Sequence, residues 1–107
     1  MNLEVRGVHF EVSDHIRETI DKKLPRIGFA KELIVDLLLT LTKAREGYRS
    51  ECTINFRWGT SAHLRVDSVG LMEGLDILFD KLDQKVRKEK EKIQDHSAIS
   101  PKTATEE

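Results

Sequence analysis

The stretch from Gly70 to His96 constrains the fold more than any other part of the chain, because its pattern is satisfied only by one long helix with a buried side. At 100° per residue, Leu71, Leu75, Leu78, Leu82, Val86 and Ile93 fall within a single narrow arc. Such an arc must be covered by other elements. About 25 residues at 1.5 Å rise make a rod of roughly 37 Å. Beside the apolar arc, Lys81, Lys85, Lys88 and Lys92 follow the spacing i, i+4, i+7, i+11, which sets four ammonium groups in a row. Glu73, Asp76, Asp80, Asp83 and Glu91 are expected on the far side of the rod, so that negative charge stays off the lysine row.

Bulk composition conceals that row. The 107 residues carry 18 Lys and Arg against 19 Asp and Glu, a net charge of −1, which argues against a generic nucleic-acid binder. Distribution carries the case instead. Residues 81–92 hold six basic side chains (Lys81, Lys85, Arg87, Lys88, Lys90 and Lys92) and three acidic ones (Asp83, Glu89 and Glu91), a local excess of +3. Long helices often carry solvated Lys and Glu with no partner, but then an acidic residue usually stands four positions before each lysine. Here the acidic residues mostly sit on the other side. A row of lysines along a rod is a plausible grip on a phosphate backbone.

The elements ahead of the rod determine what covers it. Residues 2–12 alternate loosely, with Gly7 interrupting, and predict a strand with a bend or bulge there. Ser13 and Asp14 are candidate helix N-caps, and Ile16, Ile20, Leu24 and Ile27 then recur at helical spacing. Pro25 lacks the N–H that would bond the Asp21 carbonyl, so this helix should kink or end near Leu24, with Gly28 as its final stop. Leu33, Val35, Leu37, Leu39 and Leu41 alternate with Ile34, Asp36, Leu38, Thr40 and Thr42, which predicts a long, largely buried strand. After a charged loop around residues 43–47, Cys52, Ile54, Phe56 and Trp58 define one face of a third strand. Ala62, Leu64 and Val66 define the same face of a fourth. Like faces paired across a three-residue loop, Gly59-Thr60-Ser61, put Trp58 opposite Ala62.

The order β-α-β-β-β-α predicts an α+β fold, a four-stranded sheet with two helices packed on one face. From the first helix onward it is similar to a double-stranded-RNA-binding domain. Residues 1–96 are expected to form one domain. Residues 97–107, rich in Ser, Thr, Pro, Ala and Glu, are expected to be a flexible tail. A single cysteine, Cys52, cannot form an intramolecular disulfide, which fits a reducing compartment. The N-terminus lacks a basic region followed by an apolar run, and no segment approaches the ~20 apolar residues that cross a membrane. A cytoplasmic chain without a membrane partner is expected.

Catalysis is not expected. His9, His15, His63 and His96 are dispersed with no HxxxH or HExxH spacing, and Cys52 alternates with Ile54 and Phe56 as a buried residue would. The glycines form no phosphate or dinucleotide loop. No metal, cofactor or small-molecule substrate is expected.

Leu3, Gly7 and the segment 13–23 at one end, with Asp80-Lys81-Leu82 leading into the alternating basic residues 85–92 at the other, resemble a known family over about residues 1–95. It is the ribosome hibernation promoting factor and ribosome-associated inhibitor family, also labelled sigma-factor modulation proteins. The resemblance implies a basic-faced domain that lodges in the small ribosomal subunit, in the channel for messenger and transfer RNA, and inhibits translation during stationary phase or stress. It also implies contacts to ribosomal RNA through both helices. The matching positions are Arg17, Lys22, Lys23 and Arg26 in the first and Lys81, Lys85, Arg87, Lys88, Lys90 and Lys92 in the second. Gln84 stands where the family often has arginine, and Gly70-Leu71-Met72 replaces an acidic, methionine and aromatic run. The chain resembles the short form, which lacks the domain that pairs two ribosomes, and a monomer in solution is expected.

Two other functions remain open at this point: a protein-interaction module that modulates a transcription (sigma) factor, and a duplex-RNA binder outside the ribosome. The first predicts a partner that survives ribonuclease and high salt; the second predicts affinity for free duplex RNA. Arg57, His63 and Arg65 are expected as ordinary solvent-facing strand residues. Trp58 is expected to pack in the core, and Tyr48 is open to either packing or base stacking.

Overall fold

The computed structural model describes residues 1–99, with side chains described through Lys92. Strand β1 (Asn2–Val8) leads to helix α1 (Asp14–Lys23), a 3-10 segment (Leu24–Leu33), strands β2 (Ile34–Ala44), β3 (Gly47–Phe56) and β4 (Ser61–Ser68), and helix α2 (Leu71–Ile99). The strands form one sheet in the order β1-β2-β3-β4. β1 and β2 are parallel, and the other two pairings are antiparallel.

The period of two divides the sheet into two chemically different faces. Leu37, Leu39, Leu41, Cys52, Ile54, Phe56 and Val66 are buried in one cluster with Ile16 and Ile20 of α1, Ile27 and Ala30 of the 3-10 segment, and Leu71, Leu75, Leu78, Phe79, Leu82 and Val86 of α2. Both helices therefore lie on one face of the sheet, as the element order predicts. Burying each such side chain contributes about 1.5–3 kcal/mol, so the α2 stripe is a major contributor to the core. The other face carries Glu4, Arg6, Asp36, Thr40, Glu51, Thr53, His63, Arg65 and Asp67. No helix of the described residues is long and apolar enough to cross a membrane.

Helix α1 begins where its cap predicts: the Ser13 hydroxyl accepts a hydrogen bond from the Ile16 N–H at 3.2 Å. It stops being α-helical after Lys23, where Leu24 still donates to the Ile20 carbonyl. Pro25 cannot continue that ladder, and the chain tightens into 3-10 turns through Leu33. The terminator is therefore Pro25 and not Gly28.

Three sequence expectations shift in the structure. In β2 the alternation breaks at a bulge between Ile34 and Asp36, so that Ile34 is buried and Val35 is 43% exposed. The extra residue reverses the facing of the strand's first two positions relative to the predicted pattern. In the β3–β4 hairpin Ile54, not Trp58, lies opposite Ala62. The turn is Arg57–Thr60, closed by the Phe56 N–H donating to the Thr60 carbonyl at 2.8 Å and the Gly59 N–H donating to the Phe56 carbonyl at 3.0 Å, with Gly59 at φ 91°. A slip by an even number of residues leaves every side chain on its original face, so alternation alone cannot distinguish the two registers. Finally, α2 runs on to Ile99, past the expected boundary at His96. The remainder of the expected tail, from Ser100, and the side chain of Ile93 lie outside the described residues.

The start of α2 is seated on the sheet by a close approach. A Cβ at Gly74 would lie 2.3 Å from Ser68 Oγ and 3.3 Å from Ser50 Oγ, so only glycine fits there without displacement. Ser68 Oγ in turn donates to the Gly70 carbonyl at 2.8 Å, tying the end of β4 to the first turn of the helix.

Candidate nucleic-acid interface

Helix α2 places its basic side chains by the same 100° step that buries its leucines, and the result is two flanks on either side of the core stripe. Lys81, Lys85, Lys88 and Lys92 lie on one flank. Arg87 and Lys90 lie with Asp76, Asp80 and Asp83 on the other, which faces α1 and the 3-10 segment.

On the lysine flank, Lys81 and Lys88 are exposed and pair with no carboxylate among the described residues. Lys85 and Lys92 converge on one oxygen of Glu89, at 3.2 and 3.5 Å. Glu89 is only 4% exposed. A carboxylate withdrawn from water needs compensating cations, so Glu89 holds two lysines of the row in place while cancelling one of their charges. The sequence pattern carried a signal for Glu89 that the periodicity reading passed over: it stands three residues after Val86 and four before Ile93, on the apolar stripe itself.

The opposite flank carries the acidic residues off the lysine row, as the spacing predicts, and there they are paired. Asp76 pairs with Lys23, and Asp80 accepts from Arg26 at 2.6 Å. Asp83 bridges Arg26 at 3.6 Å and the Arg87 Nε at 2.8 Å. The hydrogen bond to Asp80 chiefly raises the Arg26 pKa above its ordinary value. Lys23 and Arg26, expected as RNA contacts, thus sit at the seam between the two halves of the helical layer. They are committed to carboxylates there. Neither Arg17 nor Lys22 pairs with a carboxylate among the described residues, but five residues at 100° put them about 140° apart around α1. The basic residues of the two helices are accordingly not gathered onto one surface.

A contact with no sequence precursor lies on the same flank. The Phe29 ring, on the 3-10 segment, sits under the Arg87 guanidinium at 4.6 Å and near Lys90 Nζ at 5.4 Å from the ring centroid. Such cation–π contacts need a tertiary approach that no spacing rule encodes.

The open face of the sheet is charge-compensated. Arg49 and Arg65 both reach Asp67, at 3.3 and 3.1 Å, and the hydrogen bond from Arg65 chiefly holds the Asp67 carboxyl below the usual carboxylate range. His63 lies between Glu51, 3.3 Å from Nε2, and Thr53, 3.0 Å from Nδ1. Arg57 is in the turn, not on the strand, and donates to the Glu32 carbonyl at 3.0 Å. Trp58 is half-buried and stacks on Phe56 at 5.0 Å. Tyr48 meets the Phe10 ring edge-on at 5.7 Å with Lys43 Nζ 4.4 Å from its own ring. Among the described residues no group of three or more His, Cys, Asp or Glu is placed to hold a metal.

A family model described as Sigma 54 modulation protein / S30EA ribosomal protein matches residues 3–94. A ribosome hibernation promoting factor of Pseudomonas putida is 28% identical over 96 residues, covering 88% of this chain and 91% of that protein. One of Azotobacter vinelandii is 26% identical over 94 residues, covering 86% and 85%. The solved structure of a ribosomal subunit interface protein from Coxiella burnetii has the same fold, with a TM-score of 0.77 at 21% identity over 84% of this chain and 98% of that one. The strand and helix order, the two packed helices and a match that runs from the first strand into the basic half of α2 lead to one conclusion: this chain belongs to the Sigma 54 modulation protein / S30EA ribosomal protein family.

Proposed function

We propose that the chain is a cytoplasmic ribosome hibernation factor that binds the small ribosomal subunit, occupies the channel for messenger and transfer RNA, and inhibits translation in stationary phase or stress. The family is one of non-enzymatic binding proteins, and the similar proteins of P. putida and A. vinelandii are named ribosome hibernation promoting factors. The observation that carries the reading is the asymmetry of α2. One flank is neutralised against α1 and the 3-10 segment, whereas the other keeps Lys81 and Lys88 unpaired among the described residues and Lys85 and Lys92 steadied on Glu89.

Folded RNA is held largely through phosphates and 2′-hydroxyls, for which a fixed array of ammonium groups is the matching chemistry. In this reading Lys81, Lys85, Lys88 and Lys92 hold ribosomal RNA phosphates, with Arg87, Lys90, Arg17 and Lys22 as additional contacts. Lys23 and Arg26 are paired with Asp76 and Asp80, so in this reading their first role is to hold the helical layer together.

The test is sedimentation of the full chain with purified small subunits. The combined variant Lys81→Glu, Lys85→Glu, Lys88→Glu and Lys92→Glu loses binding, and the unmodified chain releases from the subunit as salt rises. Unchanged sedimentation of that variant overturns the site. The sigma-factor label in the family description supports a second reading, for which the outcome is a protein partner retained after ribonuclease and in high salt.

A further inference from the structure

We infer that Phe29 and Arg87 form a stacking site for one unpaired RNA base, with Lys90 beside it for the adjoining phosphate; this rests on the ribosomal RNA reading above. The 3-10 segment that carries Phe29 is anchored by its neighbours Ile27 and Ala30, each 1% exposed, while Phe29 itself is 40% exposed. An isolated exposed aromatic is unremarkable on a protein surface. What distinguishes this ring is the cation fixed above it.

The Arg87 guanidinium lies 4.6 Å from the ring centroid and is held at Nε by Asp83 at 2.8 Å, so two contacts fix its position. The arginine side chain is nevertheless 61% exposed. Its terminal N–H groups make no hydrogen bond to another side chain among the described residues. A planar cation held against an aromatic ring is a ready platform on which a base can stack, and unpaired RNA bases are recognised by stacking on aromatic rings and guanidinium planes. Lys90 Nζ, 5.4 Å from the same centroid, adds a charge beside the stack for the next backbone phosphate. The other two candidate aromatics are engaged, Trp58 with Phe56 and Tyr48 with Phe10 and Lys43.

The site lies on the flank of α2 away from the lysine row. The RNA partner is then gripped from two sides, with phosphates along the lysines and one flipped-out base against Phe29 and Arg87. Paired RNA offers no such base, so the site selects folded RNA with an unpaired nucleotide at the right distance from a phosphate-lined groove.

The experiment is a titration of fluorescently labelled full chain with purified small ribosomal subunits at several salt concentrations, with a thermal melt of every variant. Phe29→Leu removes the ring, and Arg87→Lys removes the planar group while keeping its charge. Each is expected to weaken binding about tenfold, within the range for losing one base stack. The slope of log affinity against log salt stays unchanged, because the charge is the same, and Phe29→Trp binds like the unmodified chain. If Phe29→Leu melts early, Arg87→Lys, a surface change, still decides the matter. The stacking site is overturned if Arg87→Lys binds as tightly as the unmodified chain while Lys88→Glu weakens binding, an outcome that leaves the RNA reading standing. If neither the lysine reversals nor these variants change binding, both readings fall together.

Discussion

The two flanks of α2 carry similar numbers of charges and put them to opposite uses. On the flank toward α1, Asp76, Asp80 and Asp83 meet Lys23, Arg26 and Arg87, and the charges hold elements together. On the other flank the lysines outnumber their partner, since Glu89 alone serves Lys85 and Lys92 and no carboxylate among the described residues meets Lys81 or Lys88. A helix of mixed charge can therefore present a positive edge, provided its acidic residues are engaged elsewhere. Local excess and not total charge is the quantity that matters for binding a polyanion.

The largest expected effect separates binding from folding. Reversing Lys81, Lys85, Lys88 and Lys92 together abolishes sedimentation with small subunits, and each single reversal flattens the salt dependence by about 0.7–0.9 in the log–log slope for the phosphate that is no longer neutralised. The next effect concerns the stripe between the flanks: Leu78→Ala, at a fully buried position, lowers unfolding free energy in urea by about 2–5 kcal/mol. Glu89→Gln keeps the shape but removes the charge that Lys85 and Lys92 share. It costs about 1–3 kcal/mol in a urea titration and steepens the salt dependence of binding. If it leaves both unchanged, Glu89 does not organise the row.

On the opposite flank, Arg26→Ala removes two partly exposed ion pairs. It shifts the urea midpoint only slightly, because solvent screens exposed pairs, and leaves subunit binding roughly unchanged. A marked weakening of binding would mean that Arg26 contacts RNA directly and would dissolve the contrast between the flanks. The smallest effect serves as the control. Burial pushes the Cys52 thiol up to about 12 from 9.0, so it stays neutral and unreactive toward a thiol reagent at mildly alkaline pH in the folded chain. The stability linked to this shift is full below the ordinary thiol value of 9.0 and is lost as the pH rises toward about 12. Variants of the lysine flank leave Cys52 unreactive, whereas a variant that opens the core exposes it.

Much of this molecule was legible before folding. The regularly spaced leucines of α2, the alternation of the strands outside the start of β2, the Ser13 cap and the break at Pro25 are local rules, and the structure follows them. The lysine row was legible for the same reason, because residues on one helix keep their angular relations whatever packs against them. The errors share a different character. Predicting Val35 inward required the absence of a bulge, and placing Trp58 opposite Ala62 required a particular turn. The pairing of Asp76 with Lys23 and of Asp80 with Arg26 has no local signal at all, because the partners lie more than fifty residues apart in the chain.

The sequence by itself therefore determined which faces exist: a buried stripe, a lysine edge and a sheet with one apolar side, all consequences of fixed periodicities of 3.6 and 2. Only the tertiary structure decided which of those charges remain available. Whether a cation is free or paired depends on what the fold brings within a few ångströms of it, and the contacts of Arg26 and Phe29 with their partners are set by how the helical layer closes over the sheet, not by any local spacing.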